Sequence, residues 1–315
     1  MEVLRASGLA KTYRGAGSRA VDGVSFSVSA GEALVLAGES GSGKSTIARM
    51  ILRSIEPDEG TVHVDGVRSG GDREGLARIR SCCQMMHQDP YDSVNPRMSA
   101  CQIVEESLEV SGMERARRRE RALEALGEAG LDPGIAERLP HTLSGGQRQR
   151  VVLARALAPR PRVIIADEPV SMLDVSVRAG ILGLFSRLRS GGMAFIYITH
   201  DLATARHFGT SIAVLYRGRI VESGPASDVL LSPRHPYTAA LAAAVPEPDP
   251  ASRGRGVPLA EEGRELPGGC AFAPRCPHVA DKCSEDPPLA GSGGRLSACH
   301  FSLGGGPRVG VPEDL

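Results

Sequence analysis

The chain contains 315 residues, 41% of them apolar and 23% charged, and its 37 Lys and Arg are balanced by 37 Asp and Glu. This length can form one large domain and a smaller one, and the balanced charge gives no global field that favours nucleic acid or an acidic membrane surface. Aromatic residues make up only 3% and Trp is absent, which argues against a base-stacking surface. No apolar run approaches the length of a membrane span and no signal-peptide pattern opens the chain, so we expect a cytosolic protein.

A phosphate-binding loop is the clearest signal in the first part of the chain. Residues 34–37 are a continuous apolar run, typical of a buried strand, and residues 38–45 read Gly-Glu-Ser-Gly-Ser-Gly-Lys-Ser ahead of a predicted helix over 46–52. Glycines let backbone N–H groups surround an anion, and the helix N-terminus adds partial positive charge. We expect Lys44 to reach the β- and γ-phosphates and Ser45 to ligate Mg²⁺. The binding candidates in this loop are Gly38, Ser40, Gly41, Gly43, Lys44, Ser45 and Thr46.

The residues before this loop are predicted to form strands. Val24, Phe26 and Val28 alternate with serines, which is the two-residue period of a half-buried strand. Tyr13 precedes them, and it is either an ordinary half-exposed tyrosine or a ring that stacks on a purine base. Composition does not separate these two interpretations.

The segment after the loop is predicted to change from strand to helix. Residues 60–66 indicate a strand, residues 67–80 a surface connection, and residues 82–87 a short strand that leads to Gln88. Residues 98–140 have a helical pattern. Four apolar residues there share one face, namely Ala122, Ala125, Leu126 and Ala129. The arginines between 115 and 121 alternate with glutamates, which favours a solvated helix face over a nucleic-acid surface.

Two further segments carry groups that can act on a nucleotide. Residues 144–150, Ser-Gly-Gly-Gln-Arg-Gln-Arg, precede a helical run over 151–157 and combine a hydroxyl, backbone amides and a helix N-terminus into a second anion-binding arrangement. The apolar strand over 163–166 ends in Asp167 and Glu168. Asp167 would hold Mg²⁺ through water, and Glu168 would polarise the attacking water as general base.

A further buried strand over 194–199 ends at His200, and residues 212–216 and 219–222 are predicted to form a hairpin across Arg217 and Gly218. A histidine at a strand end is more often structural than catalytic, but this strand belongs to the same predicted sheet edge as the phosphate loop, which favours a contact with the γ-phosphate. The repeated alternation of strand and helix predicts an α/β fold with a parallel sheet and an antiparallel N-terminal portion.

Residues 1–235 resemble the nucleotide-binding subunit of ATP-binding cassette (ABC) transporters. The motifs that carry the resemblance occur in the family's order: the adenine-stacking Tyr13, the Walker A loop at 38–46, the Q-loop Gln88, the Leu-Ser-Gly-Gly-Gln signature at 143–147, Walker B at 163–168, the D-loop at 171–174 with Asp174, and the switch His200. The resemblance implies a P-loop domain with a RecA-like core, an antiparallel β subdomain and a helical subdomain over about 90–160. It also implies that Glu168, His200 and Gln88 are catalytic and that Gln88 joins Ser45 and Asp167 as a Mg²⁺ ligand.

The family's mechanism implies a nucleotide site that two subunits share. Two such subunits pack head to tail, and each ATP lies between the Walker A loop of one and the signature of the other. Ser144, Gly145, Gly146 and Gln147 would then serve the nucleotide of a second ATPase subunit. In the importers that this chain resembles, that partner is commonly a different chain.

The C-terminal part of the chain narrows the subfamily. Residues 88–97, residues 233–241 and the cysteine-containing segment after them resemble ATPases of oligopeptide, dipeptide and nickel importers. The resemblance implies an extension over 236–315 with a Pro- and Gly-rich linker over 245–268, and a peripheral subunit on the cytoplasmic face of the inner or plasma membrane. Its partners would be a second ATPase, two transmembrane permease subunits and an extracytoplasmic solute-binding protein, with no nucleic acid. Its transporter would import peptides, or nickel or another chelated metal.

Four of the seven cysteines lie in this extension, at Cys270, Cys276, Cys283 and Cys299. Their gaps of five, six and fifteen residues differ from the two-residue spacing usual in structural zinc sites, and a cytosolic location disfavours disulfides. Four thiolates on an irregular loop can bind a [4Fe–4S] cluster, which some relatives in this importer group are thought to carry. Zn²⁺ is the second interpretation and unligated thiols are the third.

Two other function classes are open at this point. A non-transport ABC ATPase of DNA repair or translation needs long coiled-coil inserts or two cassettes, whereas about 55 residues separate Gln88 from Ser144 here. An ATPase fused to a zinc-containing, nucleic-acid-binding tail needs a basic aromatic surface, which this composition does not provide.

Overall fold

The computed structural model describes residues 1–15, 17–68, 73–89, 94–244 and 266–303. The strands are β1 (Glu2–Lys11), β2 (Val21–Ser29), β3 (Ala33–Ala37), β4 (Glu59–Val64), β5 (Val67–Arg68), β6 (Cys83–Met86), β7 (Val163–Asp167), β8 (Ala194–Thr199), β9 (Ser211–Tyr216), β10 (Arg219–Pro225), β11 (Ala290–Ser292) and β12 (Arg295–Ser297). The helices are α1 (Lys44–Ile51), α2 (Arg73–Cys82), α3 (Ala100–Val110), α4 (Arg115–Glu128), α5 (Gly145–Leu157), α6 (Val175–Ser190), α7 (Leu202–Phe208), α8 (Ala226–Leu231) and α9 (Pro236–Ala243).

The chain forms two compact units. The first unit comprises residues 1–7, 25–33 and 48–198, and the second comprises residues 8–24, 34–47 and the described residues from 199 onward. Each unit combines strands with helices, which confirms the predicted α/β class. Within the described ranges, no helix is both long and apolar enough to cross a membrane.

Some predicted segments lie partly outside the described residues. The stretch over 88–97 lacks a description at 90–93, and most of the predicted linker, at 245–265, has none. The predicted extension is described at 236–244 and 266–303. The proposed division at residue 235 stays a prediction.

Three parallel strands form the central sheet of the first unit. β7 lies between β6 and β8 and pairs with both in parallel, so that Ala166 is opposite Met86 on one side and Tyr197 on the other. β8 and the first four residues of β7 are fully buried, as expected for apolar runs in a parallel sheet. Helices α3, α4 and α5 pack together within the predicted helical region. β4 and β5 pair antiparallel.

The structure corrects two expectations for the first unit. The predicted surface connection over 67–80 contains β5 and most of α2, whose Ile79 is buried. Arg121, expected on a solvated helix face, is also buried. Its guanidinium donates to the carbonyl oxygens of Leu157 and Ala158 at 2.9 Å and pairs with Glu128 at 2.7 Å. It therefore satisfies carbonyl groups at the C-terminal end of α5, a role that charge alternation along α4 does not reveal.

The second unit joins the extension to the sheet that carries the phosphate loop. β3 pairs parallel with β9, and β9 and β10 form the predicted hairpin across Arg217 and Gly218. Both turn residues have positive φ, at 45° and 83°. β12 then pairs antiparallel with β10, and β11 with β12. The extension thus adds two strands to this sheet beyond the hairpin.

A buried carboxylate stabilises the pairing of the extension with β10. Glu222 on β10 is 0% exposed and accepts hydrogen bonds from the backbone N–H groups of Arg234 and His235, at 2.8 and 2.9 Å. The Arg295 guanidinium on β12 donates to the same carboxylate at 3.1 Å. A buried carboxylate with three donors is well compensated, but its removal would leave two backbone N–H groups and the half-buried Arg295 cation without this acceptor.

We therefore expect Glu222→Ala to lower the free energy of unfolding by about 3 kcal/mol, because a broken buried ion pair costs on that order. Urea unfolding followed by circular dichroism measures the change. The matched control is Glu2→Ala, which removes an exposed ion pair to Arg5 and should change the free energy of unfolding by less than about 1 kcal/mol. Equal stability of the Glu222 variant and the wild type would contradict this account.

Candidate nucleotide site

The phosphate loop follows β3 and requires glycine at two positions. Gly38 has φ +148°, and a Cβ there would lie 2.3 Å from the carbonyl oxygen of Leu215. Gly43 has φ +104°, and its Cβ would lie 2.5 Å from the carbonyl oxygen of Ala20. No side chain fits at these distances, so both glycines are fixed by close approach of the backbone and by a left-handed conformation.

Lys44 is held at the centre of the loop. It is 7% exposed, and its Nζ donates to the carbonyl oxygens of Gly38 and Glu39, both at 2.7 Å, and to Ser42 Oγ at 3.3 Å. Helix α1 begins at Lys44 itself, two residues earlier than predicted, so Ser45 and Thr46 lie in its first turn. A buried ammonium beside a helix N-terminus is a ready site for phosphate oxygens.

Tyr13 lies beside this helix start. Its hydroxyl is 3.4 Å from Thr46 Oγ1, and 38% of the residue is exposed. The second unit thus brings Tyr13 together with the loop, leaving part of its ring open to a ligand.

Glu168 and Gln88 meet in the first unit. Gln88 Nε2 donates to Glu168 Oε2 at 3.0 Å. Glu168 directly follows Asp167, the last residue of β7, and has φ +45°, an uncommon conformation for a residue with a side chain. Its backbone is held on both sides, since its N–H donates to Ile198 and its carbonyl oxygen accepts from Ser171 Oγ, at 2.9 and 3.0 Å. Such strain persists where the surroundings fix it, often at functional sites.

The signature segment caps helix α5. Ser144 Oγ accepts from the Gln147 N–H at 3.2 Å, and Gln147 Oε1 accepts from the Ser144 N–H at 3.0 Å, which is a capping box. The helix begins at Gly145 rather than at 151 as predicted, because this capping box starts it six residues earlier. Ser144 and Gly145 are exposed, so this helix N-terminus is open to solvent within the chain.

Two buried residues that follow the signature were not predicted to have a role. Gln149 is 1% exposed, and its Nε2 donates to the carbonyl oxygen of Pro169 at 2.6 Å, just after Glu168. The Arg148 guanidinium donates to the carbonyl oxygens of Pro140 and Leu143, at 2.8 and 3.1 Å. These bonds fix the signature helix to the end of β7 and to the preceding turn. In the sequence, the only sign of these contacts is that two polar residues lie in the stretch that forms the helix.

His200 and Asp174 both lie at element ends. His200 is exposed directly after β8, where the neighbouring Asp201 caps α7 through the N–H groups of Ala203 and Thr204. Asp174 is exposed and precedes α6. Both positions agree with residues that present side chains to a ligand or a partner.

The four cysteines of the extension line one cavity in the second unit. Cys276 and Cys283 are buried and Cys270 and Cys299 half-buried. Burial raises the pKa of the Cys270, Cys276 and Cys299 thiols. His235 also lines the cavity; burial lowers its pKa to about 4, and its Nδ1 accepts from the Tyr237 N–H. In the described part of the chain, no three His, Cys, Asp or Glu side chains are grouped so as to hold a metal ion.

The three cysteines outside the extension differ in their burial. Cys83 and Cys101 are buried, and burial raises the pKa of Cys101 to about 12. Cys82 is only half-buried.

Comparison with known proteins identifies the family. A family model described as ABC transporter matches residues 21–171, and one described as oligopeptide/dipeptide transporter, C-terminal region, matches residues 221–283. The probable peptide ABC transporter ATP-binding protein y4tS of Sinorhizobium fredii is 50% identical over 290 residues, covering 90% of this chain and 82% of that protein. The chain belongs to the ABC transporter family. It is an ATP-binding subunit, and its reaction is ATP hydrolysis coupled to transport.

Two further comparisons extend this result. The di/tripeptide transport ATP-binding protein DppF of Pseudomonas aeruginosa is 41% identical over 296 residues, covering 90% of each chain. A dimeric structure of the ATP-binding cassette MJ0796, in a post-hydrolysis state with ADP and Pi, has a TM-score of 0.63 and 33% identity over 71% of this chain and 98% of that chain. They support the ABC cassette fold and the transporter function rather than a role in DNA repair, translation or nucleic-acid binding.

The two signature glycines of this ABC subunit face different surroundings. A Cβ on Gly146 would lie 2.5 Å from Val177 Cγ1, whereas a Cβ on Gly145 would have Leu173 Cδ2 at an ordinary 3.7 Å. We expect Gly146→Ala to lower the free energy of unfolding by about 1–2 kcal/mol, because overpacking costs on that order and Val177 is stiff within α6.

Thermal unfolding tests this expectation, with Gly145→Ala as a control that should lose no stability. In a Val177→Ala background, Gly146→Ala should cost little, since the clashing methyl group is gone. A loss of the same size in both backgrounds would overturn the packing explanation.

Proposed function

We propose that this subunit energises the import of peptides through partner membrane subunits. The proposal rests on similarity to peptide transporter ATPases. This similarity covers 90% of the chain and includes the extension. Both sequence relatives named above, y4tS and DppF, are named as ATP-binding proteins of peptide transport, which favours peptides over nickel or another chelated metal. The partners would be a second, non-identical ATPase subunit, two permease subunits and an extracytoplasmic solute-binding protein. The subunit would lie at the cytoplasmic face of the membrane.

In this proposal, the phosphate loop binds the triphosphate of ATP. Lys44 exchanges its loop carbonyl partners for β- and γ-phosphate oxygens, while the amides from Gly38 to Thr46 surround the phosphates. Tyr13 stacks on the adenine, which its position beside Thr46 supports. Ser45, Asp167 and Gln88 would hold Mg²⁺, because all three offer the oxygen ligands that this ion prefers.

Glu168 acts as the general base that polarises the attacking water. Its carboxylate accepts a hydrogen bond from Gln88 Nε2 at 3.0 Å, so Gln88 helps to set the orientation of the base. His200 contacts the γ-phosphate.

The second half of each ATP site comes from the other ATPase subunit. Ser144, Gly145, Gly146 and Gln147 present an exposed helix N-terminus that suits the γ-phosphate of a nucleotide bound elsewhere. The exposed Asp174 lies in the segment that would adjoin this seam. ATP would close the pair, and hydrolysis would open it again.

We expect Glu168→Gln to leave ATP affinity within about twofold of the wild type and to lower turnover at least 100-fold, since it removes the general base but keeps the shape of the side chain. The assay uses the assembled transporter with and without peptide-loaded binding protein, which should raise the wild-type rate. Lys44→Ala, in contrast, should weaken ATP binding itself. Retained steady-state ATP hydrolysis by Glu168→Gln would reject Glu168 as the general base. A wild-type hydrolysis rate that peptide-loaded binding protein does not raise would reject peptides as the substrate class.

We propose that the cysteine cavity holds a [4Fe–4S] cluster, with Zn²⁺ as the alternative. One tetrahedral zinc with Zn–S bonds of about 2.3 Å draws its four sulfurs to within about 4 Å of one another. All four thiols line one cavity. A cluster with one thiolate on each of four irons keeps its sulfurs farther apart, and Phe272 and Phe301 supply an apolar shell. When bound, the cluster would cross-link the extension. It would also lower the pKa of those thiols whose pKa burial raises.

Anaerobically purified protein should therefore be brown and contain about four irons per chain. Cys276→Ser should lose most of the iron, whereas Cys101→Ala, in helix α3, should keep it. Iron quantification and the visible absorption spectrum measure both. Colourless protein with one zinc per chain would overturn the cluster assignment. Protein without bound metal would also overturn it and would show that the thiols are unligated.

A further inference from the structure

Three of the chain's few aromatic residues form one buried cluster in the second unit. Tyr216 ends β9, Tyr237 lies in the first turn of α9, and Phe272 lies between the first two cysteines of the extension. Their ring centroids are 4.6 to 5.4 Å apart, and all three are less than 5% exposed. Such packing fixes the cysteine segment firmly against the end of β9.

The same cluster presents two polar groups to the phosphate loop. The Tyr237 hydroxyl accepts a hydrogen bond from the Glu39 N–H at 2.9 Å. Arg275, which directly precedes Cys276, donates to both carboxylate oxygens of Glu39, each at 3.0 Å. Its guanidinium lies about 6 Å from the ring centroids of Tyr216 and Phe272. The cation is therefore oriented by aromatic faces as well as by the carboxylate.

All the polar groups of Glu39 are thereby engaged. The extension holds its N–H and its carboxylate, and its carbonyl oxygen accepts from Lys44 Nζ. Glu39 also places a negative charge in a loop that must receive a polyanion. A bidentate arginine offsets that charge, and a loop already fixed in its binding conformation loses less entropy when the ligand arrives.

We propose that Arg275 and Tyr237 are positioning residues for nucleotide binding, through which the cysteine-bearing extension holds the phosphate loop and neutralises Glu39. This inference rests on the proposed role of that loop in ATP binding. It predicts that the extension acts on affinity for the triphosphate and not only on the stability of the protein.

A double-mutant cycle on the purified subunit tests the inference, with Mg-ATP and Mg-ADP affinities measured by calorimetry. Arg275→Ala should weaken ATP binding about fivefold, in line with a well-oriented but partly exposed ion pair. ADP carries less charge and should lose less affinity. In a Glu39→Gln background, Arg275→Ala should change ATP affinity less than twofold, because the charge that it offsets is absent. Tyr237→Phe, which keeps the ring but removes the acceptor for the Glu39 N–H, should weaken binding severalfold.

The matched control is Asp286→Asn, which removes a different ion pair, between the extension and Arg219, and leaves the contacts of Arg275 and Tyr237 with Glu39 in place. It should leave ATP affinity unchanged. Thermal unfolding and metal content of every variant are compared with those of the wild type. A wild type without ATP affinity would reject the proposed function. If the wild type binds ATP, two results would reject the positioning role alone. One is that Arg275→Ala binds ATP as well as the wild type, and the other is that it loses the same affinity in both Glu39 backgrounds.

Discussion

Close approach of backbone segments around the phosphate loop is the constraint on which this structure depends. The carbonyl oxygens of Leu215 and Ala20 occupy the space that a Cβ on Gly38 or Gly43 would need. Because the loop is enclosed in this way, its amides and the buried Lys44 are arranged for an anion before any ligand binds. The hairpin of β9 and β10 supplies one wall of that enclosure, so the part of the chain after residue 199 is needed to build the loop.

The C-terminal extension is accordingly part of the nucleotide-binding unit rather than an appended tail. It pairs β12 with β10, fixes that pairing through the buried Glu222, and reaches Glu39 through Arg275 and Tyr237. Arg275, which contacts Glu39 of the phosphate loop, directly precedes Cys276, which lines the cysteine cavity. This arrangement gives a physical reason for a subunit of this family to carry a structured cysteine site next to its ATPase machinery.

The sequence predicted the strands, the hairpin and the loop well because each has a local signature: apolar runs for β7 and β8, a turn at Arg217-Gly218, and glycine spacing for residues 38–45. Interactions between distant segments had no such signature. Arg121 looked like one charge among many until its carbonyl partners at the end of α5 were known. The role of Glu39 was equally hidden, since its partners lie about two hundred residues away along the chain. The start of α5 was misplaced because Ser144 and Gln147 cap each other within the chain, an arrangement that the anion-binding interpretation of this segment did not include.

The central claim is that this chain provides the phosphate loop of one ATP site and the signature of another. Hydrogen exchange in the assembled transporter tests it most directly, with Glu168→Gln used to retain ATP. The account predicts that ATP protects the amides of residues 38–44 and also those of residues 145–147, because a partner's nucleotide covers the second segment. Protection of residues 38–44 alone, with exchange at 145–147 unchanged by ATP, would contradict it.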